Sequence, residues 1–152
     1  MEFSGQYDIP AARKKVWTML NDPAVLRDAL PGCQSLTGSV EDGFTATVRL
    51  SLGPVRATFE GSVTLRDIEA PASYTIAGAG KGGIAGFASG AAKVALTEIE
   101  GGTQLRYAAE VAVGGKIAQL GARLLKSSVG KLTDQFFQNF VAQIQAQQPE
   151  NG

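Results

Sequence analysis

Histidine is absent from this sequence, and cysteine occurs once, at Cys33. The first absence removes the side chain that most often moves protons near neutral pH and ligates transition metals. The second excludes an internal disulfide and, with the first, a thiolate–imidazole metal site, so no cofactor or metal is expected. Neither sign of charge is in excess, since fourteen Lys and Arg balance fourteen Asp and Glu. A neutral chain gathers no phosphate backbone from a distance, and nucleic acid is not an expected partner. No run approaches the ~18 uncharged apolar residues that cross a bilayer as a helix. Met1 to Pro10 carries Glu2 and Asp8 and has neither the basic start nor the apolar run of a signal peptide. With one free thiol, these features lead us to expect a cytoplasmic protein.

What is present is enough apolar material for one sizeable core, 44% of 152 residues, and a length that suits one domain. Phe3, Gly5, Tyr7 and Ile9 alternate with polar residues, the period of a half-buried strand. Pro10 suits the first turn of a short helix carrying Val16, Trp17 and Leu20 on one face and ending near Asn21. Asp22 can cap a second helix with Pro23 at its first position and Val25, Leu26 and Leu30 on one face. Pro31-Gly32 ends it.

From Cys33 the period returns to two, with turns at Glu41-Asp42-Gly43, Gly53-Pro54 and Gly101-Gly102. Strands are expected from Cys33, over Phe44–Leu52, Val55–Leu65, Tyr74–Ala79, Ala91–Glu100 and Thr103–Val113. Short loops between them make an antiparallel meander, and Gly61 and Gly78 are expected to mark bulges or bends in a curved sheet. After Gly114-Gly115 the apolar spacing changes to 3.6, from Ile117 through Leu120, Gly121, Leu124, Leu132 and Phe136 to Phe140 and Ile144, which predicts one long helix. Leu132, Phe136 and Phe140 share a face expected to be sealed against the sheet. A domain over 1–147 and a polar tail over 148–152 follow, with the polar character beginning at Gln145.

The residues that could do chemistry are few. Glu60 and Glu110 lie inside strands but alternate outward, as solvated charges do. Cys33 stands at a helix-to-strand junction with no imidazole to activate it, and is expected to be buried and structural. The stretch Gly78 to Gly90 lacks the Gly-Lys-Ser/Thr ending of a phosphate-binding loop. It reads as a long hairpin, either ordinary or at the mouth of a cavity. Lys116, Arg123, Lys126 and Lys131 against Asp134 give the closing helix a basic bias. A solvated face, a protein-docking surface and weak attraction to anionic lipid all accommodate it. Nothing in the pattern predicts an enzyme.

Strand, two short helices, six-strand meander and long helix in this order resemble the START-like helix-grip fold. It is an α+β fold in which a curved antiparallel sheet of about seven strands wraps a C-terminal helix. Leu20-Asn21-Asp22-Pro23, Leu30-Pro31-Gly32-Cys33, Gly53-Pro54-Val55, Gly80-Lys81-Gly82-Gly83, Gly86-Phe87-Ala88-Ser89-Gly90, the Gly114 to Leu124 segment and Phe136-Phe137 narrow it. In that order and spacing they resemble the CoxG family of carbon monoxide dehydrogenase subunits. The resemblance implies assistance to a molybdenum-containing CO dehydrogenase or related hydroxylase, by linking it to membrane quinone or by helping it mature and dock. Some members have a long C-terminal extension for membrane attachment, whereas this chain stops at Gly152. The contact expected here is at most peripheral, at the inner face of the membrane.

Small residues on the expected inner face, Ala46, Ala57, Gly61, Ala109 and Gly121, call for large neighbours, close backbone approach or a ligand. The aromatic residues could themselves fill the space. With the resemblance, the expectation is non-catalytic binding of an isoprenoid quinone or other lipid. The site is expected to be lined by Phe44, Phe59, Tyr74, Phe87 and Tyr107 and by Ile117, Leu120, Gly121 and Leu124 along the first half of the closing helix. The alternative is an assembly or docking factor with no stable ligand.

Overall fold

The alternation of the first ten residues forms β1 (Glu2–Ile9), whose odd-numbered side chains turn inward. In the computed structural model, which describes residues 1–147, two short helices follow: α1 (Arg13–Leu20) and α2 (Pro23–Ala29). Pro10 lies before α1 rather than in its first turn, and Ala12 precedes the helix without a side-chain cap. Asp22 does cap α2, its carboxylate accepting from the Ala24 N–H at 2.9 Å, with Pro23 in the first turn. Pro tolerates that place because its missing N–H would have no helical partner there.

Six strands then run as a meander: β2 (Cys33–Ser39), β3 (Gly43–Leu52), β4 (Val55–Glu69), β5 (Ser73–Lys81), β6 (Phe87–Ile99) and β7 (Gly102–Gly114). With β1 they make one seven-stranded antiparallel sheet, ordered β1-β7-β6-β5-β4-β3-β2. The ladder slips at Cys33/Ser35 and at Arg66/Glu69. Gly61 and Gly78 are not bulges: both pair in unbroken register. Most of the Gly78–Gly90 stretch is strand as well, and the connection proper is the short 3₁₀ turn Gly83–Ala85.

The closing helix, α3 (Ala122–Gln147), is shorter at its start and longer at its end than its apolar spacing suggests. Gly115–Leu120 is a 3₁₀ segment, and Gly121 interrupts it at φ 84°, ψ 159°, a conformation open essentially to glycine alone. Gln145 to Gln147 are helical, and the tail over 148–152 lies outside the described residues. Phe140 and Ile144 are wholly buried beneath α2 and the sheet. Polar residues of α3 fasten it: Asn139 Nδ2 donates to the Ala29 carbonyl (3.0 Å) and Gln143 Nε2 to that of Val25 (2.9 Å). These bonds tie α3 to α2.

Candidate functional site

The sheet's inner face does not fill the space under α3. Register places inward residues in rows across the strands: Ala46–Gly61–Gly80–Ala88, then Phe44–Val63–Gly78–Gly90, then Leu65–Ile76–Ala92–Ala109. On β5 and β6 these rows hold only glycine or alanine apart from Ile76. The wall there is peptide backbone and methyl groups. Large side chains return at the next row, Tyr74–Val94–Tyr107, and Gly5 beyond it makes room for the Tyr107 ring.

The consequence is a cavity of about 660 Å³ between sheet and helix. It separates two apolar clusters. The larger joins α1, α2 and the second half of α3 to the sheet through Ile9, Val16, Leu105, Phe140 and Ile144. The smaller packs Ile117 and Leu125 on Leu52, with Phe59 and Leu132 partly buried against it. Phe59 and Leu132 border the cavity from one side and Leu20, Tyr74, Leu105 and Phe137 from the other. No lining residue among those described is charged. The Thr133 hydroxyl is occupied within the helix by the Val129 and Gly130 carbonyls. Burial raises the pKa of the Tyr74 phenol, so it stays neutral. At the edge, Asn21 donates to the Trp17 carbonyl while its Oδ1 is buried without a partner among the described residues.

Four of the nine residues expected around a ligand line this space: Phe44, Phe59, Tyr74 and Tyr107. The other five do not. Phe87 is 53% exposed and lies over Gly114 on the far side of the β6 start. Ile117 is buried in the smaller cluster with Leu120 against it, Leu124 is 37% exposed, and Gly121 has nothing within 4 Å of where a Cβ would stand. The cause is the break at Gly121, which takes the 3₁₀ segment and the helix start away from the sheet's hollow. Leu132 and Phe136, expected to be sealed, line the cavity instead, and Ala57 does not reach it while Ala46, Gly61 and Ala109 do. Gly80, Ala88 and Gly90 were missed because their stretch read as a hairpin connection, Gly78 because it read as a bulge or bend, and Ala92, within an expected strand, was not singled out. Their period of two, continuing from Tyr74 and Ile76 and back toward Val94, is the signal that identifies them as wall.

The other candidate groups lie apart. Glu60 and Glu110 are exposed on the outer face. Cys33 is half-buried rather than buried, its thiol within 3.4 Å of the Ser35 carbonyl and its pKa raised chiefly by burial, the opposite of an activated thiol. Among the described residues no helix is long and apolar enough to cross a membrane.

A curved antiparallel sheet closed by a long helix over an uncharged apolar hollow defines a helix-grip protein, a fold of the binding type. The chain belongs to the CoxG family of carbon monoxide dehydrogenase subunits, whose model matches residues 5–145. Among solved structures, a conserved protein from Geobacillus kaustophilus is 29% identical over 96% of each chain, with a TM-score of 0.89. A protein from Rhizobium leguminosarum shares the fold at 17% identity and TM-score 0.73, covering 97% of this chain and 95% of that one. Ms6760 from Mycobacterium smegmatis does so at 16% and 0.72, covering 97% and 92%. No match was found among curated proteins. Family and fold together support a ligand-binding or accessory role.

Proposed function

We propose that this protein is a non-catalytic carrier that holds an isoprenoid quinone or another lipid between sheet and helix, and that it serves a molybdenum-containing CO dehydrogenase or related hydroxylase. The observation that carries the reading is the cavity itself. Its volume of about 660 Å³ lies within the ~300–1,000 Å³ of small-molecule sites, and its lining is uncharged and almost wholly apolar. Water is a poor occupant of such a space, because each molecule needs two to four polar partners and the walls offer few. An empty space of this size forfeits the dispersion contacts that close packing supplies. An apolar molecule satisfies both requirements.

The same lining argues against turnover, since no carboxylate, amine, imidazole or thiol is among the described residues that line the space to act as base or to activate a hydroxyl. The link to the hydroxylase comes from the family alone. Mass spectrometry of organic extracts from the natively purified protein is the test. A stoichiometric quinone or lipid is expected. A clean extract, together with no uptake when the protein is offered quinone in detergent, sinks the carrier reading and leaves an assembly or docking role.

A further inference from the structure

Polar side chains are scarce around the hollow, and the fold provides for them unequally. The Thr133 hydroxyl already donates within α3. Asn21 gives its amide N–H to the Trp17 carbonyl, and its Oδ1 is closed off from open space as well as from partners among the described residues. Two phenols remain, Tyr74 on β5 and Tyr107 on β7, in one row across the sheet with Val94 between them. Tyr107 is half-buried, its ring over Gly5 of the edge strand β1, which leaves it a share of solvent. Tyr74 is only 5% exposed. Trp17 of α1 meets its ring edge-on at 5.0 Å, and among the described residues none exchanges a hydrogen bond with its hydroxyl. Burial alone raises its pKa, whereas at Tyr7 the hydrogen bond to Asp134 adds to burial.

A buried hydroxyl without a partner is costly, and an interior tyrosine usually has one. Phenylalanine would fill the same place without that cost. Water is a poor substitute partner, because it needs further polar groups and the next row, Leu65–Ile76–Ala92–Ala109, offers only aliphatic side chains. From Tyr74 the inward face of β5 runs through Ile76 and Gly78 to Gly80 with no polar side chain. That track is ~20 Å long at the rise of a strand. The hollow therefore has one polar end and a long apolar remainder.

We infer that Tyr74 anchors the head of the ligand: its hydroxyl donates to a neutral carbonyl or hydroxyl oxygen, and the apolar remainder lies along the glycine and alanine rows toward Gly80. The inference rests on the carrier reading and adds to it the ligand's orientation and head chemistry. A phosphate or carboxylate head would find no counter-charge among the described lining residues.

The test uses the lipid-free full chain and two probes, duroquinone and durene, which share a tetramethyl ring and differ by a pair of carbonyl oxygens. Duroquinone has no open ring position for the Cys33 thiol to attack. In equilibrium dialysis, Tyr74→Phe should weaken duroquinone binding by about two- to tenfold, the worth of one hydrogen bond, and leave durene binding unchanged. Tyr107→Phe should leave both unchanged. The infrared carbonyl stretch of bound duroquinone should be lowered by hydrogen bonding in wild type and not in Tyr74→Phe. Without ligand, Tyr74→Phe should melt at or above the wild-type temperature, because no protein partner is lost. Duroquinone binding and a carbonyl stretch indifferent to Tyr74→Phe overturn the inference and leave the carrier reading standing. A loss confined to Tyr107→Phe does the same, as does a lower melting temperature in Tyr74→Phe, which would reveal a protein partner for the hydroxyl. If neither probe binds, the inference falls together with the carrier reading.

Discussion

Gly78 and Gly90 stand opposite each other across the β5–β6 ladder, so at the centre of the sheet the wall under α3 is bare backbone. A Cβ at Gly78 would lie 2.5 Å from Val63 Cγ1 and 2.6 Å from the Ser62 carbonyl oxygen. One Cβ at Gly80, two residues along the same face, would have only the Glu60 oxygen at 3.6 Å and the Gly61 Cα at 3.8 Å near it. The neighbours differ in what they tolerate.

Gly80→Leu should therefore fill the cavity without collision, raise strand propensity and remove most of the extractable lipid while the protein stays folded. Gly78→Val should instead strain the ladder and destabilise by ~1–3 kcal/mol, as overpacking does. Thermal melts set beside extracted lipid distinguish the two. A Gly80→Leu protein that melts like wild type yet keeps its full lipid content would place the ligand elsewhere.

The two phenylalanines on one face of α3 should not be equivalent. Phe140 is wholly buried in the larger cluster, and Phe140→Ala should cost ~3–5 kcal/mol. Phe136 already borders a void, so Phe136→Ala removes fewer contacts and should cost less while altering ligand content. Denaturant midpoints of lipid-free protein give the ranking, and equal shifts would show that Phe136 is sealed after all.

Gly121 tests the break in the closing segment. Its surroundings are open but its backbone is not available to other residues, so Gly121→Leu should cost ~1–3 kcal/mol through conformation alone. Lipid content should not change. Loss of lipid in a folded Gly121→Leu protein would return the ligand to the start of the helix.

Tyr7 joins β1 to α3: its hydroxyl donates to Asp134 Oδ1 at 2.6 Å and its ring stacks on Phe137 at 4.1 Å. Burial, followed by that hydrogen bond, raises its pKa from 10.0 to about 12. A phenol whose folded pKa lies above its unfolded one stabilises the fold fully below pH 10 and loses that contribution as pH climbs toward about 12. Tyr74, raised by burial, adds to the loss in the same direction. Chemical denaturation across this range should show stability falling with pH in wild type and falling less steeply in Tyr7→Phe. An identical slope in both proteins would remove Tyr7 from the account.

Local pattern was sufficient for much of this molecule. Alternation in β1, β3 and β4 fixed their faces, Asp22-Pro23 marked the start of α2, and the motif order placed the chain in its family. These features are written in neighbours two to four residues apart, the distance over which backbone period and capping act. The hollow was half legible: Phe44, Phe59, Tyr74 and Tyr107 belong to clear strands, so their faces could be read directly.

What only the tertiary structure decided was where the empty space lies. A glycine reads alike in a turn, a helix break or a strand, because it has no side chain to carry a period. Gly78, Gly80 and Gly90 became wall, and Gly121 became a break, through pairing partners and backbone conformation set far along the chain. The sequence by itself determined the strands, the helices and the scarcity of chemistry. Register across β4 to β7 decided that its small residues fall in adjacent rows, and contact between those rows and α3 turned them into a cavity.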